Sequence, residues 1–379
     1  MPERPDTIRF DRNEVSGAFG DFGTSLPLIV GMIAAARLDA TSVLVAFGAL
    51  QVATGLVYRM PMPVQPLKAV AAIVIAQKVG GDIVYGGGLA IGVLMLALAA
   101  TGLLDWLARI VPHVVVRGIQ CGLGLQLGRI AVADYVPSMG TSGFVLAALS
   151  FVIVVALIGN RRLPPAPLVL ALGAAFALTV GGAGASALAA IGMHIPSVHV
   201  PATSAIWQGF LLLAIPQIPL SLGNSVLATR QVAADLFPGR PPLAIRRIGL
   251  TYAAMNIVSP FVSGIPVCHG SGGMAGHYAF GGRTGGSVII AGGALLTVGV
   301  LLGGSVGEVA LLFPKPMLGV LLLVEGVAMV SLLRDLAATP RDFALALCLG
   351  VIAAGLPYGY LVALVLGTVL SKLGARVLA

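Results

Sequence analysis

Pro61-Met62-Pro63-Val64-Gln65-Pro66-Leu67-Lys68-Ala69-Val70 places three prolines in six residues and then runs on in apolar sequence. Each proline lacks an N–H and clashes with the turn before it, so residues 61–66 cannot lie inside an α-helix. Broken backbone at membrane depth is tolerated only where protein buries it or a cavity receives it. The stretch therefore reads as an extended entry strand over 61–66 followed by a half-helix over 66–77 that starts inside the bilayer. Five extended residues span about 16 Å, half of a hydrocarbon core of about 30 Å. Twelve helical residues cover about 18 Å more and bring Lys78 to the far interface. Pro66 suits the first helical position, which needs no N–H. The N–H groups of Leu67, Lys68 and Ala69 are then expected to point unpaired into the centre of the protein. Such a helix start favours an anion, and Lys68 adds a full positive charge.

The rest of the chain fits a membrane setting. Hydrophobic residues make up 58% of the 379 and charged residues 9%, against about 25% charged in soluble domains. This is the composition of an all-α polytopic membrane protein. The net charge of +8 points to basic cytoplasmic loops rather than to nucleic acid. Cys121, Cys268 and Cys348 lie in apolar segments and fit neither a disulfide framework nor a metal spacing. Residues 1–14 carry seven charges and no apolar run, so they read as a cytoplasmic tail and not a signal peptide.

Fourteen apolar spans are expected, near 15–36, 41–57, 63–77, 86–104, 112–128, 143–159, 166–190, 205–228, 243–262, 266–280, 286–303, 314–331, 342–355 and 357–372. Asp82 and Asp105 fall in loops between them. With the N-terminus inside, sixteen of the 22 basic residues face the cytoplasm, among them Arg4, Arg59, Arg161, Arg162, Arg247, Arg283 and Arg376. Arg37, Lys78, Arg129 and Lys315 fall on the other side, and Lys68 and Arg117 lie within spans. That asymmetry fits an integral protein of the cell membrane with both termini cytoplasmic. Motifs also recur at an offset near 200. The broken stretch at Pro66 returns as Gly264-Ile265-Pro266-Val267-Cys268-His269-Gly270-Ser271-Gly272-Gly273. Pro112 returns as Pro314, and the polar run Gly20 to Pro27 as Pro216 to Ser225. Seven spans per half require the halves to be inverted. The expected organisation is a first repeat over 15–190, an extracytoplasmic linker over 191–204 and a second repeat over 205–379, with spans three and ten as half-helices. Gly/Pro-interrupted segments at matching places in inverted halves point to the substrate site of a secondary transporter.

Several side chains qualify for that site. Gly270, Ser271, Gly272 and Gly273 open the second half-helix to close approach by a ligand, although small residues also serve helix packing. Lys68 is the cation of the site, or else a lysine that snorkels to the surface. His269 contacts substrate or sits satisfied in the core. Thr24, Ser25, Gln65, Gln217, Ser221 and Asn224 can donate neutral hydrogen bonds to an oxyanion, or else tie helices together. Asp21 and Glu325 are intramembrane carboxylates and so candidates for proton coupling. Asp21 could instead cap a helix, and Glu325 could instead pair with Arg117. Arg283 reads as an interface anchor. There is no nucleotide loop, cofactor motif, nucleophile–base pair or metal-ligand cluster, so the sequence points away from an enzyme.

Taken together, Gly20-Asp21-Phe22-Gly23-Thr24, Pro63-Val64-Gln65-Pro66-Leu67-Lys68-Ala69, Pro216 to Asn224 and His269 to Gly276 resemble the molybdate transporter family related to the SulP sulfate permeases. Phe280-Gly281-Gly282-Arg283-Thr284-Gly285 extends the last piece. The chain departs from the family's usual glutamine and arginine at His277 and Ala279. The resemblance implies a seven-plus-seven inverted repeat. Spans 1–4 and 8–11 would form a substrate-carrying core, and spans 5–7 and 12–14 a gate that often forms a homodimer. It further implies secondary active import of a tetrahedral oxyanion, molybdate first and sulfate second. Protons are the expected coupling ion, and membrane lipid surrounds the chain. A permease for an organic anion or nucleobase, and a passive anion channel, are the competing readings.

Overall fold

Residues 61–67 run extended through the middle of a helical body, and their broken backbone is satisfied by a partner of the same kind. The computed structural model describes residues 7–157, 165–356 and 358–377. Residues 1–6, Arg161 and Arg162 lie outside the described residues, as do the side chains of Thr24 and Arg376. Strand β1 (Val64–Pro66) pairs antiparallel with β2 (Val267–His269), in register Val64 to His269, Gln65 to Cys268 and Pro66 to Val267. Leu67 N–H continues the pairing to Pro266 O at 3.1 Å. Two broken segments thus supply each other's backbone partners where neither lipid nor water could.

The outer edges of this ribbon are closed by one amide side chain each. On α3 (Ala40–Tyr58), Gln51 donates to Val64 O at 3.2 Å and accepts from Val64 N–H at 3.0 Å. On α14 (Ile245–Val258), Asn256 donates to Val267 O at 2.6 Å and accepts from Val267 N–H at 2.9 Å. From the ribbon, α4 (Lys68–Gln77) and α15 (Ser271–Ala279) lead away as short helices. The first starts two residues later than expected, because Pro66 stays in the strand.

The elements around the crossing follow the same correspondence. First come α1 (Arg12–Ala18), α2 (Phe22–Ala36), α5 (Gly81–Thr101) and α6 (Leu103–Ile110). Then α7 (His113–Arg129) continues through a π segment and a 3-10 turn into α8 (Gly140–Leu157). Next are α9 (Pro165–Thr179) and α10 (Gly184–Ala189). One irregular helix follows, built of α11 (Thr203–Gly209), α12 (Ile215–Leu220) and α13 (Ala228–Leu236) with π segments between. The chain closes with α16 (Gly286–Leu312), α17 (Lys315–Ser331), α18 (Pro340–Gly355) and α19 (Gly359–Val377). The extensive helix pairings include α3 with α16 and α5 with α14, which an exchange of halves interchanges. Gly48 and Gly292 let α3 and α16 touch: a Cβ on either would lie 2.6 Å from the other's carbonyl oxygen.

Six continuous helical stretches among the described residues are long and apolar enough to cross a membrane: Ala40–Tyr58, Gly81–Thr101, His113–Leu157, Thr203–Leu236, Gly286–Leu312 and Lys315–Leu336. Leu28, Met32, Phe47, Val70, Ile119 and Leu322 belong to one buried core, while Phe144, Val152, Val351 and Val365 point outward and exposed. Helices apolar on both faces are what a bilayer requires.

Some expected boundaries shift. The first span divides into α1 and α2. The fourth ends at Gly102, whose φ of 77° breaks the helix before α6. Asp82 and Asp105 sit in the first turns of α5 and α6 rather than in loops, where a carboxylate complements the helix dipole. Residues 7–14 of the expected tail are docked. Glu14 is buried and accepts from the N–H groups of Arg283, Thr284 and Ser287 at 2.8–2.9 Å, ahead of and within the start of α16.

A candidate anion site where two half-helices meet

Asp21 closes the turn before α2 and is 2% exposed. Ser25 Oγ donates to its Oδ2 at 2.9 Å, and Gln65 Nε2 donates to its Oδ1. A Cβ on Gly273 would meet that same Oδ1 at 2.8 Å. Asp21, Ser25, Gln65 and Gly273 therefore form one buried knot joining α2, β1 and α15. Gln65 also lies hard against Gly270, at a spot that any side chain there would occupy.

Lys68 opens α4, and its ammonium forms an ion pair with Glu325 of α17. The two side chains are 11% and 10% exposed. Arg117, named above as a possible partner of Glu325, instead pairs with Asp335 and donates to Gln120 at 2.9 Å. The carboxylate of Glu325 is taken by Lys68 instead.

Two of the three N–H groups expected to be unpaired at the start of α4, those of Leu67 and Ala69, have partners. Leu67 N–H is spent on the ribbon, and Gln217 Oε1 accepts from Ala69 N–H at 3.2 Å and Val70 N–H at 3.4 Å. Gln217 reaches them from α12, where Pro219 and the flanking π segments distort the helix; such π segments are frequent at functional sites. Gln217 Nε2 donates to Ser221 Oγ at 3.3 Å, and Ser221 meets Tyr252 Oη at 2.7 Å. Gln217 and Ser221 thus support α4.

The other half-helix is the open one. The first intrahelical bond of α15 at this end runs from Met274 N–H to Gly270 O at 3.1 Å. The N–H groups of Ser271, Gly272 and Gly273 precede it, at positions that a helix leaves without an intrahelical acceptor. Gly272 is exposed, and nothing lies within 4 Å of where its Cβ would be. Ser271 and Asn224 are half-buried beside it, with Ser271 Oγ donating to Asn224 Oδ1 at 3.4 Å. The local arrangement thus combines a helix N-terminus, an adjoining amide and hydroxyl, and the Lys68 cation across the ribbon, with room for a ligand at Gly272.

His269 is turned away from this group. Its Nε2 contacts Thr251 Oγ1 at 2.8 Å, its Nδ1 contacts Pro63 O at 3.3 Å, and its ring packs edge-on to Tyr58. Alternation along β2 explains this, since Cys268 takes the side toward Lys68 and His269 the opposite side. His269 is a satisfied core histidine. Arg283 stacks over Tyr278 at 3.6 Å and donates to its carbonyl. Sequence reasoning missed Gln51, Asn256 and Glu14. The first two carried a usable signal, being polar residues at matching places in apolar spans, near the same offset as the broken stretches.

The family model described as "Molybdate transporter of MFS superfamily" matches residues 13–127 and 209–329. Molybdate transporter 2 of Arabidopsis thaliana is 32% identical over 393 residues, covering 90% of this chain and 83% of that protein. Molybdate transporter 1 of Chlamydomonas reinhardtii is 28% identical over 473 residues, covering 93% and 90%. Among solved structures, murine Slc26a9, an anion transporter in the inward-facing state, aligns with a TM-score of 0.73 at 13% identity, covering 98% of this chain and 69% of that one. The transmembrane domain of the cyanobacterial bicarbonate transporter BicA aligns with a TM-score of 0.66 at 16% identity, covering 92% and 98%. The fold is therefore that of these anion transporters, whatever superfamily the family description names. Sequence match and fold agree on one conclusion: the chain belongs to the molybdate transporter family.

Proposed function

We propose that this protein imports a tetrahedral oxyanion across the cell membrane, molybdate first and sulfate second, by secondary active transport. The observation that carries this reading is the open start of α15 at Gly272, with Ser271 and Asn224 beside it and Lys68 at the start of the other half-helix. A helix N-terminus and a lysine suit an oxyanion, and neutral donors hold it without a competing charge. The molybdate transporters of Arabidopsis and Chlamydomonas support the choice of substrate. Ser25, Gln65, Gln217 and Ser221 act behind the site by fixing Asp21 and α4. The working architecture is fourteen spans in two inverted halves of seven. Spans 1–4 and 8–11 carry the anion past a scaffold of spans 5–7 and 12–14, which a second copy can extend into a homodimer. The repeated motifs, the exchangeable helix pairings and the antiparallel β1–β2 register support that organisation.

A dianion entering a negative-inside cell works against about 4.6 kcal/mol at 100 mV. Cations must accompany it for accumulation, and protons are the reading supported here, with Asp21 and Glu325 as the buried carboxylates near the site. An uptake series in proteoliposomes tests substrate and class together. Labelled molybdate should concentrate inside under an inward proton gradient. Tungstate and sulfate should compete, while uracil and benzoate should not. Equilibration without accumulation would establish a channel, and competition by uracil or benzoate a different permease.

A further inference from the structure

The Lys68–Glu325 ion pair joins the half-helix α4 to α17, two parts that the proposed mechanism moves past one another. Both side chains are about nine-tenths buried. An ion pair at such depth is a poor source of stability, because desolvation offsets most of the attraction. It also places a carboxylate on the cation that an incoming oxyanion needs. We propose that Glu325 is an internal counter-anion, which holds Lys68 when the site is empty and is displaced, taking up a proton, when substrate binds. This rests on the oxyanion reading above and gives that reading a coupling mechanism.

The charge balance follows directly. The empty pair is neutral. A dianion on Lys68 with Glu325 left ionised gives a net charge of −2. Protonation of the displaced carboxyl reduces this to −1, so the loaded carrier moves one charge fewer across the membrane.

The surrounding groups leave Glu325 as the anion that Lys68 meets directly. Asp21 and Cys268 are within electrostatic reach of Lys68, and Asp21 is bonded to Ser25 and Gln65. On α7, Arg117 faces Asp335 of the turn after α17, and Arg129 is exposed beside a groove lined by Leu323, Gly326 and Val327 of α17. Asp134 in the segment after α7 is exposed, and Tyr135 packs at Gly319. Helices α2, α8 and α9 carry no titratable side chain.

The test is equilibrium binding of molybdate to the purified full-length protein between pH 6 and 8, with Glu325→Gln alongside. Wild-type affinity should fall as pH rises, because binding takes up a proton. Glu325→Gln should bind about tenfold tighter or more at the alkaline end, the worth of one charge-assisted hydrogen bond. Its affinity should vary less with pH. A variant with wild-type affinity and the wild-type pH profile would overturn the proposal, while leaving the anion site intact. A second readout needs no variant: adding molybdate to weakly buffered wild-type protein should draw protons from solution. Binding without proton uptake would also overturn it. If the wild type binds none of molybdate, tungstate and sulfate, the functional reading itself fails and takes this inference with it.

Discussion

At the residue scale, the site is a set of charges held in place by neutral partners. Lys68→Ala removes the cation and should weaken molybdate binding about 10- to 150-fold, the range for one charge-assisted hydrogen bond. It also leaves Glu325 buried without its partner, a loss that costs about 3–5 kcal/mol for buried pairs. The melting temperature of purified Lys68→Ala should therefore drop, and adding Glu325→Gln should restore stability without restoring binding. A double variant that regains affinity would show that Lys68 does not contact the anion. Asp21→Asn can keep both contacts of Asp21 through rearrangement, with its carbonyl accepting from Gln65 and its amide donating to Ser25 Oγ. It should still bind and exchange substrate but lose accumulation under an inward proton gradient. Continued accumulation by Asp21→Asn would leave Glu325 as the one coupling carboxylate of the site.

At the element scale, the two broken segments stand because they pair with each other and because Gln51 and Asn256 close the outer edges of the ribbon. The prolines made the breaks legible in the sequence, and their offset made the correspondence of the two breaks legible. The antiparallel ribbon was not, because three-residue strands carry no periodicity to read. The expectation of unpaired N–H groups on α4 failed for a related reason: Gln217 lies about 150 residues away, and only the fold brings it there. Gln51→Leu and Asn256→Leu each strand the N–H and C=O of one strand residue, at about 1–3 kcal/mol per group. Both variants should melt well below the wild type in detergent, and by similar amounts. A wild-type melting curve for either would mean that the ribbon does not depend on its edge amides. Glu14 does comparable work at α16, and Glu14→Ala should lose about 0.5–2 kcal/mol, as for other lost N-terminal caps. Limited proteolysis should then cut within residues 7–14 faster than in the wild type, and an unchanged cleavage rate would show that this docking is incidental.

At the scale of the whole molecule, composition and basic-residue asymmetry made the membrane class legible, and the repeated Pro- and Gly-broken motifs placed the candidate site. The two ends of the site were predicted to be alike, and they are not. Gln217 closes the start of α4, while α15 remains open at Gly272. That difference came from a side-chain contact across halves, which motif matching does not see. It also separates the glycines. Gly270 and Gly273 are packed against Gln65 and Asp21, so bulk there should damage the fold, whereas Gly272 faces open space. Gly272→Val can therefore fold normally and still fill the place assigned to the anion. The decisive measurement is equilibrium binding of labelled molybdate to purified wild-type protein and to Gly272→Val, with melting temperatures recorded for both. The wild type should bind saturably, the variant should not bind, and the two should melt at the same temperature. Wild-type affinity in a correctly folded Gly272→Val would place the anion somewhere other than the start of α15.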